Sequence, residues 1–391
     1  MTVVPRSGRG AIAAATPAWM ELLKKAGQPS PFSTPAWAAT WLSVYGDRHR
    51  PLILEVRSGD SPVALLPMQM TRYPGVRTRR IEFISGAAPT PRAWVFNPRH
   101  TGQAYWNDLL VMPGCEREAL TALHDWLQLH RDMWDELRLA CVPATSPLAT
   151  DFDRLKAGWS SRVEVQTKVA IDTSAGWTAY RARLSKRQQR HLRYEPNALA
   201  RASGAELTLQ VERGERVPRL MDDFLDLFER RWSSRGRVIM PRENHRFYQR
   251  LAATNELNPA FYVLRAGERP LAMQFGFDDG RRYVPYAFAF DASMERVSPA
   301  NVLIHYAIKR CCEDGHAEVD LAALDQFDRW AGEPRQRVHL VARSPRLPAR
   351  LRSAGLELVS RGLVSADGSK LGQLLHRTTE RTRRALSGGL S

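Results

Sequence analysis

Ser298 and Pro299 open an amphipathic stretch that follows a strand-like run in AFDASMERVSPANVLIHYAIKRCC, Ala289 to Cys312. Serine is a favoured helix cap and proline suits a first helical turn, so a helix is expected from Ser298 to about Glu313, stopped by Asp314 and Gly315. Such a start leaves the backbone N–H groups of Ala300, Asn301 and Val302 to point at an anion, and Arg296 adds a positive charge just upstream. An anion at an exposed helix terminus gains about 0.3–1 kcal/mol. The chemistry is recognition of a phosphate-bearing group; the plainer alternative is a capped helix docked on a sheet.

Two further clusters suit the same chemistry. Arg231 and Trp232 set a cation beside a large flat apolar side chain, which could line a donor or acceptor pocket or simply pack the indole with the guanidinium exposed. Arg183, Lys186, Arg187, Arg190 and Arg193 crowd positive charge into about three helical turns. That pattern suits RNA backbone or coenzyme phosphates, with a solvated helix face as the alternative. Other short matches fail on context: GRGAIA at Gly8 has no preceding strand, and the His130–Asp132 triplet has Leu137 where a kinase loop needs asparagine. The sequence contains no HExxH, Walker loop or GxSxG, and Cys115, Cys141, Cys311 and Cys312 lack zinc-ligand or redox spacing, so no metal is expected.

The elements that must position these residues are legible from periodicity. Trp37, Trp41 and Tyr45 recur on one helix face, PLILEVRSG and SPVALLPMQM read as a hairpin, and EREALTALHDWLQLHRD reads as a helix. A second block starts near Val163 with RVEVQTKVAID and runs into the basic helix, which Pro196 is expected to interrupt or kink. RLMDDFLDLFERRWSSRG has Leu220, Phe224, Leu227 and Phe228 on one face and a stop at Gly236. AFYVLRAGERPLAMQFGFDDGRRYVPYAFAFD then reads as a three-stranded antiparallel meander, followed by the Ser298 helix and a returning strand in HAEVDLAAL.

At 391 residues the chain exceeds one ordinary core, and two lobes are expected. The expected divisions are a weakly patterned segment over 1–28, a first α/β lobe over 29–162, a second over 163–343, and a basic tail over 344–391. No stretch resembles a secretory signal or a bilayer span, so a cytoplasmic setting is expected. The net charge of +16 favours polyanionic partners, although seven Lys against fifty Arg in an Ala-rich chain is also a pattern that base composition produces.

An ordered series extends beyond these single features: LSKRQQRHLR, FERRWSSRG, ERPLAMQFGFDDGRRYVPYAFAFD, SPANVL and HAEVDLAALDQFDRW. Over about 163–343 this series resembles the GNAT superfamily, in particular the CelD/BioF2-like group of acyltransferases, related in fold to FemAB-type aminoacyl-tRNA-dependent transferases. PFSTPAWAATW and PVALLPM look like that group's first, degenerate lobe. The resemblance implies an α/β (α+β) fold of tandem GNAT-like lobes, each a mixed, mostly antiparallel sheet flanked by helices. It implies a donor cleft between the meander's third strand and the following helix, with phosphates held over Arg296 to Asn301. It also implies an acidic cluster before a Trp, matched here by Asp320, Asp325, Phe327 and Trp330. Asp320 or Asp325 would accept a proton from an attacking amine, or else pair with Arg329 or Arg335; Asp291 is a third candidate, or the start of a turn. Two residues depart from the group's pattern: Ala300 stands where it carries glycine, and Asp328 where it carries lysine. The implied activity is acyl transfer to a small-molecule or sugar acceptor, with acyl-CoA slightly ahead of aminoacyl-tRNA as donor. A non-catalytic module binding nucleic acid or serving polysaccharide assembly is the remaining alternative.

Overall fold

The computed structural model describes residues 1–25, 30–46, 49–73, 78–84, 104–156, 158–233, 242–321 and 329–346. Its strands are β1 (Thr2–Ser7), β2 (His49–Ser58), β3 (Ser61–Tyr73), β4 (Thr78–Phe83), β5 (Leu110–Val111), β6 (Glu136–Pro143), β7 (Ser160–Asp172), β8 (Leu207–Arg213), β9 (Pro259–Ala266), β10 (Arg269–Asp278), β11 (Arg282–Phe290), β12 (Glu318–Asp320) and β13 (Glu333–Arg343). All join one sheet in the order β1-β2-β3-β4-β6-β13-β7-β12-β11-β10-β9-β8, with β5 on β3. The helices are α1 (Ala11–Lys25), α2 (Pro35–Tyr45), α3 (Glu116–Leu129), the short α4 (Pro147–Thr150) and α5 (Phe152–Leu155), α6 (Gly176–Arg183), α7 (Lys186–Ser203), α8 (Val217–Ser233), α9 (Arg242–Ala253) and α10 (Pro299–Glu313).

The strand order shows two lobes that exchange strands. Each contains one parallel pair: β4 with β6 (Arg80↔Glu136 to Glu82↔Arg138), and β11 with β12 (Arg282↔Glu318, Tyr283↔Val319). The last strand among the described residues, β13, enters between β6 of the first lobe and β7, pairing with β7 from Glu333↔Ala170 to Arg343↔Ser160. The expected division at 162/163 therefore falls inside β7, and the C-terminal strand completes the sheet of the other lobe. Sequence order could not reveal this, because strand partnership is set by long-range pairing.

The expectation of a weakly patterned 1–28 segment is corrected over its described residues. Thr2–Ser7 pair antiparallel with β2, so a strand does precede Gly8, although not a parallel one, and α1 buries Ala11, Ala15, Trp19, Leu22 and Leu23. This helix reads poorly because it is rich in alanine and carries Pro17 inside it. Together α1 and α2 share a core with α8, α9 and the β9–β11 meander, where the Trp37 ring meets Phe247 and Phe277 at 5.6 and 6.0 Å. First-lobe helices thus back the second-lobe sheet. Two further large cores lie under α3 and under α10.

The basic helix breaks elsewhere than expected. The run divides at Ser185, whose side chain accepts from the Gln188 N–H while Gln188 bonds back to the Ser185 N–H; this is a complete capping box. Pro196 lies inside α7, which continues to a left-handed Gly204. One missing N–H bond is outweighed there by the caps and by burial of Leu199 and Glu195.

Candidate active site

Strands β11 and β12 are paired for two residues only, after which they separate. Among the described residues no strand covers the β12-facing edge of β11 from Val284 to Phe290, although its other edge stays bonded to β10. Backbone amides and carbonyls on such an edge require other partners. The separation is reinforced by a bulge: Ala287 faces Phe275 and Pro285 faces Gly276, leaving Tyr286 as the extra residue. Gly276 is obligatory opposite this bulge, because a Cβ there would lie 2.5 Å from the Val284 carbonyl oxygen and 3.0 Å from Pro285 Cα. Gly276→Ala is therefore expected to cost about 1–3 kcal/mol through overpacking, read as a lower urea midpoint.

The strand leads into a turn of 3₁₀ helix, Ala292–Val297, and then into α10. Asp291 caps this turn: one carboxylate oxygen accepts from the Ser293 N–H (2.9 Å) and hydroxyl (2.7 Å), and the other pairs with Arg269. These bonds more than offset burial and hold its pKa below the ordinary value. Its carboxylate thus serves the turn.

Ser298 is left-handed (φ 53, ψ 54) and makes no side-chain cap bond. An L-residue in that region costs roughly 1–2 kcal/mol. The expectation of three available amides at α10 is corrected. The Asn301 and Val302 N–H groups both donate to the Ser298 carbonyl, at 3.0 and 3.2 Å, because the cap carbonyl takes the first intrahelical bonds. Pro299 has no N–H, so the Ala300 amide is the remaining one. Ala300 and Asn301 are half-buried and Arg296 is exposed. The Ala300 side chain packs against the core beneath α10.

Arg231 is brought to the end of β11, with its guanidinium 4.0 Å from the Phe290 ring centroid. Trp232 follows it on α8, but its side chain lies outside the described residues. Helix α7 packs against both the 3₁₀ turn and α10. Lys186, Arg187, Arg190 and Arg193 are exposed on it, beside Tyr194 at 62% exposure, and none of the four forms an ion pair among the described residues. The only acid of α7, Glu195, is turned inward onto Arg329 and His191. Arg183 lies on α6 and pairs with Asp172 at 3.4 Å. Helix α3 of the first lobe begins instead with Glu116 and Glu118, charges that oppose an anion at a helix N-terminus.

Across the gap, Asp320 ends β12 at 2% exposure. Burial raises its pKa and nearby Glu318 adds to the rise; Arg335, Arg282 and a hydrogen bond from Trp106 oppose it. The Trp106 indole N–H donates to Asp320 Oδ2 at 2.7 Å, and the Tyr105 hydroxyl donates to the Tyr286 carbonyl at 2.8 Å. Two consecutive first-lobe residues therefore touch both lips of the second-lobe gap. The signal available in the sequence was a pair of aromatics with polar tips in a stretch of weak periodicity. Asp325, Phe327 and Asp328 lie outside the described residues. Among the described residues no group of three or more His, Cys, Asp or Glu could hold a metal ion, and no helix is long and apolar enough to cross a membrane.

A strand pair that parts beside a helix N-terminus, within one large mixed sheet flanked by helices, is the architecture that the described residues build. Residues 186–330 match the family model described as an acetyltransferase (GNAT) domain. Among solved structures the chain is similar to FemX, at 10% identity over 91% of this chain and 100% of that one (TM-score 0.59). It is also similar to the C-terminal domain of a protein named as a lysylphosphatidylglycerol synthetase from Agrobacterium fabrum, at 12% identity over 90% and 97% (TM-score 0.51). A search of the curated proteins finds no match.

Proposed function

We propose that the chain transfers an acyl group from an activated donor, seated between β11 and β12, to the amine or hydroxyl of a small-molecule or sugar acceptor. The observation that carries this reading is the edge of β11 that no described strand covers, which runs from the buried Asp320 side of the gap to the start of α10. The acceptor nitrogen or oxygen attacks the acyl carbon, and Asp320 takes its proton directly or through water. Backbone N–H groups on the β11 edge stabilise the resulting oxyanion. The tetrahedral intermediate then collapses, breaking the bond to the donor's thiol or hydroxyl oxygen, which leaves with a proton. Arg296 and the Ala300 amide hold the donor's phosphate, and Arg231 lines the end of the cleft. Positioning supplies much of the rate.

Acyl-CoA is the first donor to test. A second reading, aminoacyl-tRNA, is supported by the exposed basic face of α7 with Tyr194, which flanks the same junction. Both donors fit a cytoplasmic setting. Incubation with labelled acetyl-CoA and, separately, with charged tRNA tests the order: label transferred only from tRNA would reverse it. If tRNA is the donor, its affinity should fall steeply with salt, and Lys186→Glu, Arg187→Glu and Arg190→Glu together should weaken binding by about tenfold or more at low salt. Salt-insensitive binding, measured by filter retention, would remove α7 from the interface. Arg296→Glu should raise the KM for either phosphate-bearing donor several-fold.

A further inference from the structure

The first lobe sends Tyr105 and Trp106 into the gap of the second. We propose that these two residues are positioning residues of the second-lobe site, Tyr105 pinning the β11 bulge and Trp106 aiming the Asp320 carboxylate at the acceptor. The proposal rests on the reading of Asp320 as proton acceptor.

The wedge is built rather than incidental. The Arg337 Nη1–H donates to the Tyr105 carbonyl at 2.9 Å, and its Nε–H and Nη2–H donate to Gln166 Oε1 at 3.2 and 3.0 Å. Arg337 is 2% exposed and its guanidinium lies 5.9 Å from the Trp106 ring. Next along the chain, the Asn107 backbone N–H donates to the Cys141 carbonyl at 2.9 Å and its side-chain amide to the Ala140 carbonyl at 3.0 Å. The Tyr105 ring meets Tyr286 at 5.3 Å and Phe32 at 5.6 Å. The exchanged strands β7 and β13 therefore hold the wedge from one side, and the parted strands receive it on the other.

The chemistry at Asp320 follows from the donor. An indole N–H can only donate, so it favours the ionised carboxylate and fixes the orientation of Oδ2. At the bulge, the Tyr105 hydroxyl occupies a carbonyl on the edge that the donor must share. Loss of Tyr105 should loosen the strand, and loss of the indole N–H should change the carboxylate.

The deciding experiment follows aspartate Cγ resonances by NMR during pH titration, with Asp320→Asn identifying the Asp320 signal. Trp106→Phe is expected to move the Asp320 midpoint upward by about one pH unit or more, and transfer below the new midpoint to fall about tenfold per unit. Tyr105→Phe is expected to lower kcat while leaving that midpoint in place. Benzothienylalanine at position 106 retains the ring shape without the N–H and should reproduce the midpoint shift should Trp106→Phe misfold. A folded variant without the N–H but with an unmoved midpoint would overturn the proposal. A moved midpoint with an unmoved pH profile of transfer would overturn instead the role of Asp320 on which it rests.

Discussion

Asp320→Asn is expected to lower transfer by about 10²–10⁴-fold, the range attributable to a positioned general base, while KM for the donor changes little. The substitution keeps the side-chain shape and an oxygen to accept from the Trp106 indole. The wild-type pH profile should carry the same signature. Burial raises the pKa of Asp320, so the rate should increase with pH to a midpoint above the ordinary carboxylate range. The stability effect has the opposite sign. A folded-state pKa above the unfolded one means that ionising Asp320 costs the fold; the cost is absent below the unfolded pKa and complete above the folded pKa. Asparagine should therefore unfold at an equal or higher temperature near neutral pH. A variant that retains wild-type kcat would exclude Asp320 as the base.

The second large effect lies at the closed end of the same gap. Asp278 ends β10 with no side-chain exposure. It accepts from Arg213 Nη2 at 2.6 Å, the Tyr262 hydroxyl at 2.9 Å, His316 Nε2 at 2.8 Å and the Gly280 N–H at 3.0 Å. These groups come from β8, β9, the approach to β12 and the turn into β11, so one carboxylate ties together the strands that part further along. Asp278→Ala leaves buried donors unsatisfied and should cost about 3–5 kcal/mol in denaturant unfolding. The hydrogen bonds and charges from His316, Arg213 and Gly280 outweigh burial and hold the Asp278 pKa well below the ordinary value. Its contribution is present above the unfolded carboxylate pKa, about 4, and is lost as pH falls through the depressed folded value. Acid sensitivity in that window should be blunted in the variant. An unchanged midpoint together with unchanged acid sensitivity would show that this carboxylate does not tie the strands.

The meander, the crossover helix and the parallel return of β12 were legible because they are local: Gly267 and Gly280 mark the turns with positive φ, and strand and helix periods alternate cleanly. The aromatic face of α2 was legible for the same reason, as Trp37, Trp41 and Tyr45 are all buried. The start of α10 was only half legible. A Ser-Pro pair predicts where the helix begins, but which amides remain available depends on the left-handed turn of Ser298, and that turn is imposed by the 3₁₀ segment before it. Likewise, Pro196 signals a cost to helix α7, but the break falls at Ser185, where a complete cap competes better.

What the sequence determined by itself is therefore most of the elements beyond α1, the basic character of α7 and the acid at the end of β12, because each depends on residues a few positions apart. Tertiary structure alone decided that β13 crosses into the first lobe's sheet and that α1 and α2 back the second. It also decided that Tyr105 and Trp106 reach partners 181 and 214 residues away. Those outcomes depend on strand pairing and burial across the chain. Burial determines what an aspartate can do: with the same carboxyl group, Asp291 is stabilised in its ionised form by the turn it caps, whereas Asp320 is pushed toward holding a proton by the water it has lost.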